Sequence, residues 1–493
     1  MKKFLVVLFV FASIMLQYNC SDDDDNKNID TPGVTEEIEI QDFIWQGLNI
    51  FYFWQESVAN LADDKFSTEA EYVNFLHATP VPDDFFENLI FNRQSVDFWS
   101  WIVDDFIELE NSFQGISKSN GVDFGLVGIS GSNDIFGYVR MILPNSDAAG
   151  KNIKRGDIII RVNGIQLTRD NFRDLLFSEN DSYTLDLAKI ENNTIIPTDV
   201  SVDLTKVEYH EDPVFITKTI VEDGHRIGYI MYNGFTSSFD NKLNEAFLQL
   251  KNDGITDLIL DFRYNPGGSV STAVSLAGMV TGQFKGELFA KEQWNSKLQA
   301  EIEGSHPDWL INNFTDKLRN GNTINSLNLN KVHIIVTRGS ASASELVING
   351  LNPYIDVRLV GEQTVGKYVA SVTLYDSDDF GRDGANPNHA YAMQPIVLEE
   401  VNKLGVNDKD GFDPHIEQSE DLANLGVLGN PSELLLRTTI DDILGNISKS
   451  DYTKRYDYEF ISHSRLHTPL KDNMFVDKPE IRKVFKKNKL ILK

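Results

Sequence analysis

Residues 332–345 read VHIIVTRGSASASE, a short apolar run followed by a loop of small side chains. An apolar run of this length, closed by glycine and serine, predicts a buried strand, and a helix is expected after the loop. Residues 258–262, LILDF, form a second such run, and a helical pattern over residues 239–250 precedes it. Strands that alternate with helices predict an α/β core with a mostly parallel sheet, whose ligand sites gather beyond the carboxyl ends of the strands.

Three segments of this core carry residues suited to catalysis. The first is residues 261–268, DFRYNPGG, directly after a predicted strand. Its two glycines, Gly267 and Gly268, let the backbone approach a substrate and offer unobstructed N–H groups. A simple strand-to-helix turn is the alternative explanation of this segment.

The second segment surrounds Ser342 with small residues and places it at the start of a predicted helix. The free N–H groups and positive potential of a helix start suit a developing oxyanion. Ser342 and Glu345, three residues later, also fit a capping box, so a purely structural role for this serine is the alternative.

The third segment, residues 361–370, reads GEQTVGKYVA and places Lys367 among apolar neighbours. A lysine that loses its hydration favours the neutral form, which can accept a proton. The alternative is an ordinary exposed loop lysine.

Together the three segments resemble the motifs of the C-terminal-processing, or tail-specific, serine peptidases. The resemblance implies that Ser342, the middle serine of SASASE, is the nucleophile and that Lys367, 25 positions later, is the general base. It also implies an oxyanion site formed by the N–H of Ala343 with that of Gly267 or Gly268.

One position departs from that family's pattern. Many members carry a glutamine four residues after the lysine, where it orients the base, and this chain has Ser371 there. Ser371 is therefore the candidate for orienting the base. The chain is predicted to be a serine endopeptidase that cleaves extended or C-terminal segments of proteins through an acyl-enzyme, without a cofactor or metal.

A β-rich region of about 85 residues follows the first helices and resembles a PDZ domain. It contains the run GDIIIRVNG at residues 156–164, a strand closed by an Asn-Gly turn. A PDZ groove binds an extended peptide by strand addition and holds its terminal carboxylate on backbone N–H groups. The resemblance places these donors near Gly125, Leu126 and Val127.

The N-terminus predicts export and a lipid anchor. Two lysines precede an apolar run over residues 4–16, which is the pattern of a secretory signal and is too short for a comfortable membrane span. Cys20 is the only cysteine and lies just after that run, as in bacterial lipoproteins, so we expect lipidation at Cys20. A cleaved signal with an incidental cysteine is the alternative. The expected location is the outer membrane, facing either the periplasm or the surface.

The predicted chain is multidomain. Its parts are a signal peptide (1–19), a lipidated flexible tether (20–36), a helical domain (37–118), a PDZ-like domain (119–208), a serine peptidase core (209–449) and a C-terminal extension (450–493). The aromatic residues of the helical domain, Phe85 and Phe98 among them, are expected in its core. Whether the C-terminal extension is packed or mobile is left open.

Charge and composition limit the partners. The formal net charge of −29 argues against nucleic acid, which needs clustered Lys and Arg, and against broad contact with anionic lipid, so the lipid anchor is the only expected membrane contact. The acidic loops 376–383 and 407–413 fail the EF-hand spacing, and no metal site is predicted. The expected partners are unstructured proteins or peptides, and the oligomeric state is left open.

Two rival functions use the same sequence. A Ser-His-Asp triad could recruit His210, His333 or His415, but no G-x-S-x-G elbow is present to expose a serine for it. A catalytically weak or inactive surface lipoprotein that binds peptides or other ligands is the rival from another class, because the same fold can lose its chemistry. Covalent labelling of Ser342 separates this binder from the peptidase.

Overall fold

The computed structural model describes residues 34–192, 194–407, 409–446, 458–467, 473–478 and 481. The predicted signal peptide, Cys20 and most of the predicted tether lie outside the described residues. Within those ranges, none of the helices combines the length and apolar character needed to cross a membrane.

The described residues form ten α-helices. They are α1 (Glu39–Phe51), α2 (Glu69–His77), α3 (Pro82–Glu87), α4 (Phe106–Phe113), α5 (Phe172–Leu176), α6 (Asp240–Asn252), α7 (Val270–Val280), α8 (Ser296–Ser305), α9 (Ala343–Leu351) and α10 (Leu434–Leu444).

The same residues form 24 strands. They are β1 (Trp101–Val103), β2 (Ile116–Ser119), β3 (Val122–Ile129), β4 (Ile135–Ile142), β5 (Ile158–Val162), β6 (Ile165–Gln166), β7 (Ser182–Glu191), β8 (Thr194–Thr205), β9 (Val207–His210), β10 (Val214–Glu222), β11 (His225–Tyr232), β12 (Asp257–Asp261), β13 (Gly268–Ser269), β14 (Leu288–Trp294), β15 (Ile311–Asn313), β16 (Lys331–Val336), β17 (Asp356–Gly361), β18 (Val369–Ser371), β19 (Leu374–Tyr375), β20 (Ala392–Gln394), β21 (Ile396–Val401), β22 (Ile416–Glu417), β23 (Tyr458–His463) and β24 (Met474–Phe475).

The central sheet of the α/β region has the strand order β10-β11-β12-β16-β17-β22. The first two strands form an antiparallel hairpin, and from β11 onward each neighbour runs parallel to the last. The carboxyl ends of β12 and β16 therefore meet at one edge. The loops that follow these two strands, 262–267 and 337–342, are the first two segments singled out in the sequence.

The N-terminal helices share one hydrophobic core with the α/β region. Phe43 and Trp45 of α1 are buried in the same cluster as Leu260 of β12. The prediction that Phe98 belongs to this core is wrong, because its side chain is 54% exposed. The preceding residue, Asp97, is buried instead, since its carboxylate accepts the Tyr52 hydroxyl at 2.7 Å, and the chain turns Phe98 outward.

The β-rich region has its own core and a seven-stranded sheet in the order β23-β3-β4-β5-β7-β8, with β6 paired to β5. Its edge strand, β23, comes from the C-terminal extension. The second strand of that extension, β24, lies in another sheet, between β13 and β18. The described parts of the extension are therefore packed against two different units of the molecule.

Candidate active site

Ser342 lies in the turn between β16 and α9 and is the N-cap residue of that helix. Its backbone φ is +66°, a conformation that a residue with a side chain adopts only under strain. The side chain is 0% exposed, and its Oγ has no hydrogen-bond partner of normal geometry among the described residues. A buried hydroxyl that lacks a normal hydrogen bond, on a residue with a strained backbone, is typical of a functional position rather than of a helix cap alone.

Glu345 joins the two segments that carry Ser342 and Lys367. Its Oε2 accepts the backbone N–H of Ser342 at 2.7 Å and that of Lys367 at 2.9 Å. Its Oε1 accepts the hydroxyl of Thr364 and the N–H of Gly366, both at 2.6 Å. One buried carboxylate thus ties the turn at the start of α9 to the loop before β18.

Burial raises the pKa of Glu345 to about 7, although four hydrogen bonds to the carboxylate oppose that rise. The first cause is desolvation, which penalises the charged form, and the donated N–H groups stabilise it. The capping box expected as the structural alternative is present, because Glu345 accepts the N–H of Ser342 and the Ser342 side chain faces the N–H of Glu345. The contact of the Ser342 hydroxyl with that N–H falls short of normal hydrogen-bond geometry.

Lys367 is 1% exposed and lies in a loop that packs on the Ser342 turn. The N–H of Val365 donates to the carbonyl of Ser340 at 3.1 Å, which fixes the loop independently of Glu345. The Lys367 Nζ is 5.7 Å from the centre of the Trp99 ring, which comes from the N-terminal helical region. The prediction that Lys367 is removed from water agrees with this burial, and the exposed-loop alternative is wrong.

Gly267 touches the serine directly. Its φ is +107°, and a Cβ at this position would lie 2.5 Å from Ser342 Cβ, 2.7 Å from Ser342 Oγ and 2.9 Å from the Ala343 nitrogen. Gly268 has a φ of +134°, and a Cβ there would lie 2.4 Å from the Phe235 carbonyl oxygen. Both glycines are therefore required by their conformation and by close approach, as expected for a loop that lies against the nucleophile.

The predicted oxyanion donors differ in their surroundings. Ala343 is the first residue of α9, so its N–H has no acceptor within the helix. The N–H of Gly267 donates to Asn265 Oδ1 at 3.0 Å. The N–H of Phe235 donates to the carbonyl of Gly267, and the N–H of Ser269 donates to the carbonyl of Phe235. Because the N–H of Gly268 lies opposite the Gly267 carbonyl in their shared peptide bond, it points away from Phe235 and toward Met474 in β24. The roles of these three donors stay predictions.

Ser371, the candidate for orienting the base, lies in β18 and is buried. Its hydroxyl lies 2.6 Å from Gln394 Oε1 and 3.1 Å from Asn473 Oδ1. A glutamine is thus present beside position 371, but it comes from β20. Neither Gln394 nor Trp99 could be found from the sequence, because no spacing relates them to Lys367.

A buried ionic network holds the loop after β12. Arg263 is fully buried and binds Asp261, Glu433 and Glu420, with Nη–Oε distances to the two glutamates of 2.8, 2.9 and 3.1 Å. Arg155 of the β-rich region donates to Glu420 at 2.6 Å and to the Tyr264 hydroxyl at 2.8 Å. The network therefore connects the β-rich region to the loop that carries Gly267.

The pKa of Glu420 is about 2 in this network. Burial alone would raise it, but the guanidinium groups of Arg155 and Arg263 and the Tyr264 hydroxyl outweigh burial and stabilise the carboxylate. The ion pairs between Glu420 and the two arginines are therefore fully formed at neutral pH.

A cavity of about 140 Å³ lies between the β-rich region and the α/β region. Gly267 and Gly268 form part of its wall, and Lys118, Asp123 and residues of the C-terminal extension are among the other lining residues. The lining from the extension is Ser464, Arg465 and Phe475.

Gly125, Leu126 and Val127, the predicted carboxylate donors, lie within β3. On one side they pair with β4, and on the other they pair with β23 of the C-terminal extension. The described structure therefore gives them strand partners on both sides, and their role in binding a peptide carboxylate stays a prediction.

The histidines considered for a triad have other partners. His333 Nε2 is 3.2 Å from an Asp442 carboxylate oxygen, and burial together with nearby Lys331 lowers its pKa to about 4. His210 contacts the carbonyl of Gln114, and His415 Nδ1 accepts the N–H of Leu359. No hydrogen bond between described residues joins any of the three to the Ser342 hydroxyl, so none forms a triad with it. Among the described residues, no cluster of three His, Cys, Asp or Glu side chains could hold a metal ion.

Comparison with known proteins gives two family matches. Residues 226–381, which include Gly267, Ser342 and Lys367, match the model of peptidase family S41, and residues 39–101 match the peptidase S41 N-terminal domain. The chain is 27% identical over 280 residues to a Staphylococcus aureus (strain N315) protein named "Probable CtpA-like serine protease", covering 55% of this chain and 50% of that protein. It is 26% identical over 288 residues to the chloroplastic C-terminal processing peptidase of Tetradesmus obliquus, covering 55% and 56%.

The chain thus spans about half the length of the curated relatives it matches. Among solved structures, a Bacteroides fragilis NCTC 9343 protein assigned to the S41 proteases is similar, with a TM-score of 0.63 and 22% sequence identity. That similarity covers 85% of this chain and 100% of the other chain, and it concerns the fold.

Proposed function

We infer that this chain, whose residues 226–381 match the model of peptidase family S41, is a serine endopeptidase that cleaves extended or C-terminal segments of proteins with Ser342 as nucleophile and Lys367 as base. One observation carries the inference. The N–H groups of Ser342 and Lys367 meet on the same oxygen of Glu345, and both side chains are removed from water.

The first chemical step joins the serine to the substrate. The neutral amine of Lys367 accepts the Ser342 proton, and Oγ attacks the scissile carbonyl to form a tetrahedral oxyanion. The oxyanion is stabilised by the N–H of Ala343, which has no helical acceptor, and by the Gly267–Gly268 loop. Gly267 can exchange its present acceptor, the Asn265 side chain, for the oxyanion.

The second step releases the products. The Lys367 ammonium donates its proton to the leaving amine, and the acyl-enzyme remains on Ser342. Water, activated by the neutral Lys367 amine, then hydrolyses the ester and restores the Ser342 hydroxyl. No protein group other than the dyad needs to change its protonation, which agrees with histidines that are engaged elsewhere.

The β-rich region is proposed to act as a PDZ-like peptide-binding domain for unstructured proteins. The edge of β3, which includes Gly125, Leu126 and Val127, would take the peptide by strand addition. Its connection to the loop of Gly267 through Arg155 supports a role close to the active site. The cavity between the two regions supports the same route for the substrate.

Lipid attachment at Cys20 and location at the outer membrane are proposed from the sequence alone. The apolar run, the position of the single cysteine and the acidic residues after it support an exported lipoprotein. Globomycin, which blocks lipoprotein signal cleavage, should cause the uncleaved precursor to accumulate, and Cys20→Ser should abolish labelling by a radioactive fatty acid.

A fluorophosphonate probe tests the nucleophile. Wild-type protein should be labelled covalently at Ser342 and should cleave β-casein, an unstructured protein. Ser342→Ala should lose both, and Lys367→Ala should fall by at least about 10³-fold in cleavage, since removing one member of a catalytic pair costs nearly as much as removing both. Equal labelling of wild type and Ser342→Ala, with no cleavage by either, would support the ligand-binding lipoprotein instead.

A further inference from the structure

The edge of β3 already holds a strand. Residues 458–463 pair with it in antiparallel register, with Glu459 opposite Gly128, Phe460 opposite Val127 and His463 opposite Gly125. This strand, β23, lies more than 300 residues after β3 in the chain. It covers the three positions at which a peptide was predicted to bind.

The direction of β23 is that of a bound peptide. Its later residues lie at the beginning of β3, where a PDZ-type groove holds the end of its ligand. There, the N–H of Phe124 donates to the hydroxyl of Ser464 at 3.1 Å. The extension thus supplies an acceptor at the end of the groove, as a peptide terminus would.

The pairing of β23 is irregular in the middle of the strand, although Ile461 packs against the core of the β-rich region. Phe460 is 40% exposed, and the pairing shifts register between Phe460 and Ser462. The ion pair between Glu459 and Arg169 is open to solvent, where such pairs contribute little. His463 is buried with Nδ1 lacking a described partner, which disfavours the bound state.

The flanking part of the extension is held far more firmly. Arg465 donates to Asp123 and to Glu211, both at 2.6 Å. Further on, Met474 and Val476 are buried in the main core, and the Lys478 ammonium lies 2.6 Å from Glu292. Residues 458–463 are therefore tethered at their C-terminal end, while their own pairing with β3 is irregular.

We propose that residues 458–463 are a resident, exchangeable ligand of the β3 edge, and that a peptide substrate binds this edge by displacing them. A strand tethered by Arg465 competes at a high effective concentration, on the order of millimolar for a short linker. The edge therefore accepts extended segments with backbone groups free on one side and rejects folded proteins. This inference rests on the proposed peptidase only for its activity test.

A reversible cross-link tests the displacement. Val127 and Phe460 lie opposite each other across the pair, so the double variant Val127→Cys/Phe460→Cys can form a disulfide that holds β23 in place. All variants carry Cys20→Ser, because Cys20 is the only native cysteine. The oxidised protein should cleave β-casein at least about tenfold more slowly than the same protein after reduction.

A matched disulfide controls for the chemistry. Thr184 and Asp203 face each other in the β7–β8 pair of the same region, and Thr184→Cys/Asp203→Cys should cleave equally when oxidised and reduced. Equal cleavage by both forms of the Val127→Cys/Phe460→Cys protein would overturn the inference. Failure of the reduced proteins to react with fluorophosphonate would count against the peptidase instead.

A second readout needs no catalysis. Ser462 is a buried residue of β23, and Ser275 is a buried residue of α7. If β23 exchanges, the introduced thiol of Ser462→Cys should react with a thiol reagent at least about tenfold faster than that of Ser275→Cys. Excess β-casein, which displaces β23, should increase this difference in rate. Equal, slow reaction of the two thiols would show that β23 is a fixed strand and would overturn the inference.

Discussion

Ser342 and Lys367 donate their backbone N–H groups to one oxygen atom, Oε2 of Glu345, at 2.7 and 2.9 Å. Two residues from different loops are thereby positioned by a third, whose side chain is buried. The remaining oxygen of Glu345 binds two further groups of the lysine loop. The separation of the proposed nucleophile and base thus depends on the charge and length of this one side chain.

Replacing Glu345 with glutamine should therefore damage catalysis without touching the dyad. The amide keeps the size of the carboxylate but turns an acceptor into an NH₂ group that faces N–H donors, so the loops separate. We expect kcat/KM to fall about 10²-fold, corresponding to the loss of buried hydrogen bonds to a charged group. Glu301→Gln on the exposed side of α8 is the control, and the same activity in both variants would contradict the positioning role.

The same variant should change how stability depends on pH. The pKa of Glu345 is raised by burial from the ordinary 4.5 to about 7, so the folded protein binds more protons than the unfolded chain between these values. Stability from this group is full below about pH 4.5 and is lost as the pH rises through 7, a change of about 3 kcal/mol. Urea unfolding at pH 4.5 and 8 should show this decline in wild type and a smaller one in Glu345→Gln.

A methyl group at position 267 should displace the proposed nucleophile. In Gly267→Ala the new Cβ would lie 2.5 Å from Ser342 Cβ, and φ would remain at +107°. We expect cleavage and fluorophosphonate labelling to fall at least about 10²-fold, because small displacements of reacting groups are costly. Gly286→Ala is the matched control, since its φ is +84° and its Cβ would meet nothing within 4 Å. If both variants label normally, Gly267 does not shape the site.

Much of the site could be predicted because its chemistry lies in short, local motifs. The serine turn, the lysine loop and the two glycines each follow a strand whose apolar run is visible in the sequence. The resemblance to tail-specific peptidases is supported by the match of residues 226–381 to the model of peptidase family S41. The strain at Ser342 also follows from a sharp turn between strand and helix.

What the sequence did not reveal comes from long-range packing. Trp99 covers Lys367 from a loop 268 positions earlier, and Gln394 reaches Ser371 from β20, a strand of another sheet. No periodicity links such residues, because their contacts are set by how the sheets and helices pack. The same holds for β23, whose sequence YEFISH alternates only weakly and becomes a strand because β3 offers an unpaired edge.

Arg155 should stabilise the junction of the β-rich region with the active-site loop. Arg155→Met removes the donor to Glu420 and Tyr264 and leaves a buried carboxylate with one arginine fewer. We expect the free energy of unfolding to fall by about 3 kcal/mol at pH 7. Cleavage should also fall, because the loop that carries Gly267 loses its support.

The neighbouring residue provides the control for this prediction. Lys154 is mostly exposed and pairs with Asp157 at the surface, so Lys154→Met should change stability by less than about 0.5 kcal/mol.

The free energy of unfolding should also depend on pH through Glu420. Because Glu420 has a folded pKa of about 2, its contribution is present above pH 4.5 and is lost as the pH falls through 2, and Arg155→Met should reduce this acid sensitivity. Unchanged acid unfolding would contradict the assignment.

Lys478 should be required to neutralise two buried carboxylates. Glu292 and Glu400 lie opposite each other in β14 and β21, and the Lys478 ammonium is 2.6 Å from Glu292. Burial and the charge of Glu292 raise the pKa of Glu400 well above its ordinary range, while Lys478 opposes that rise. The C-terminal extension thus supplies the cation that this part of the core needs.

Lys478→Met should therefore destabilise the protein in a pH-dependent way. For a carboxyl whose folded pKa is raised, stability is present at low pH and is lost as the pH rises, so the variant should suffer most at alkaline pH. We expect a loss of about 3 to 5 kcal/mol at pH 8 and a smaller loss at pH 5, measured by urea unfolding. Lys403→Met, which removes an exposed pair with Glu287, should be nearly neutral at both values. An equal loss at pH 5 and pH 8 would mean that Lys478 acts through packing rather than through its charge.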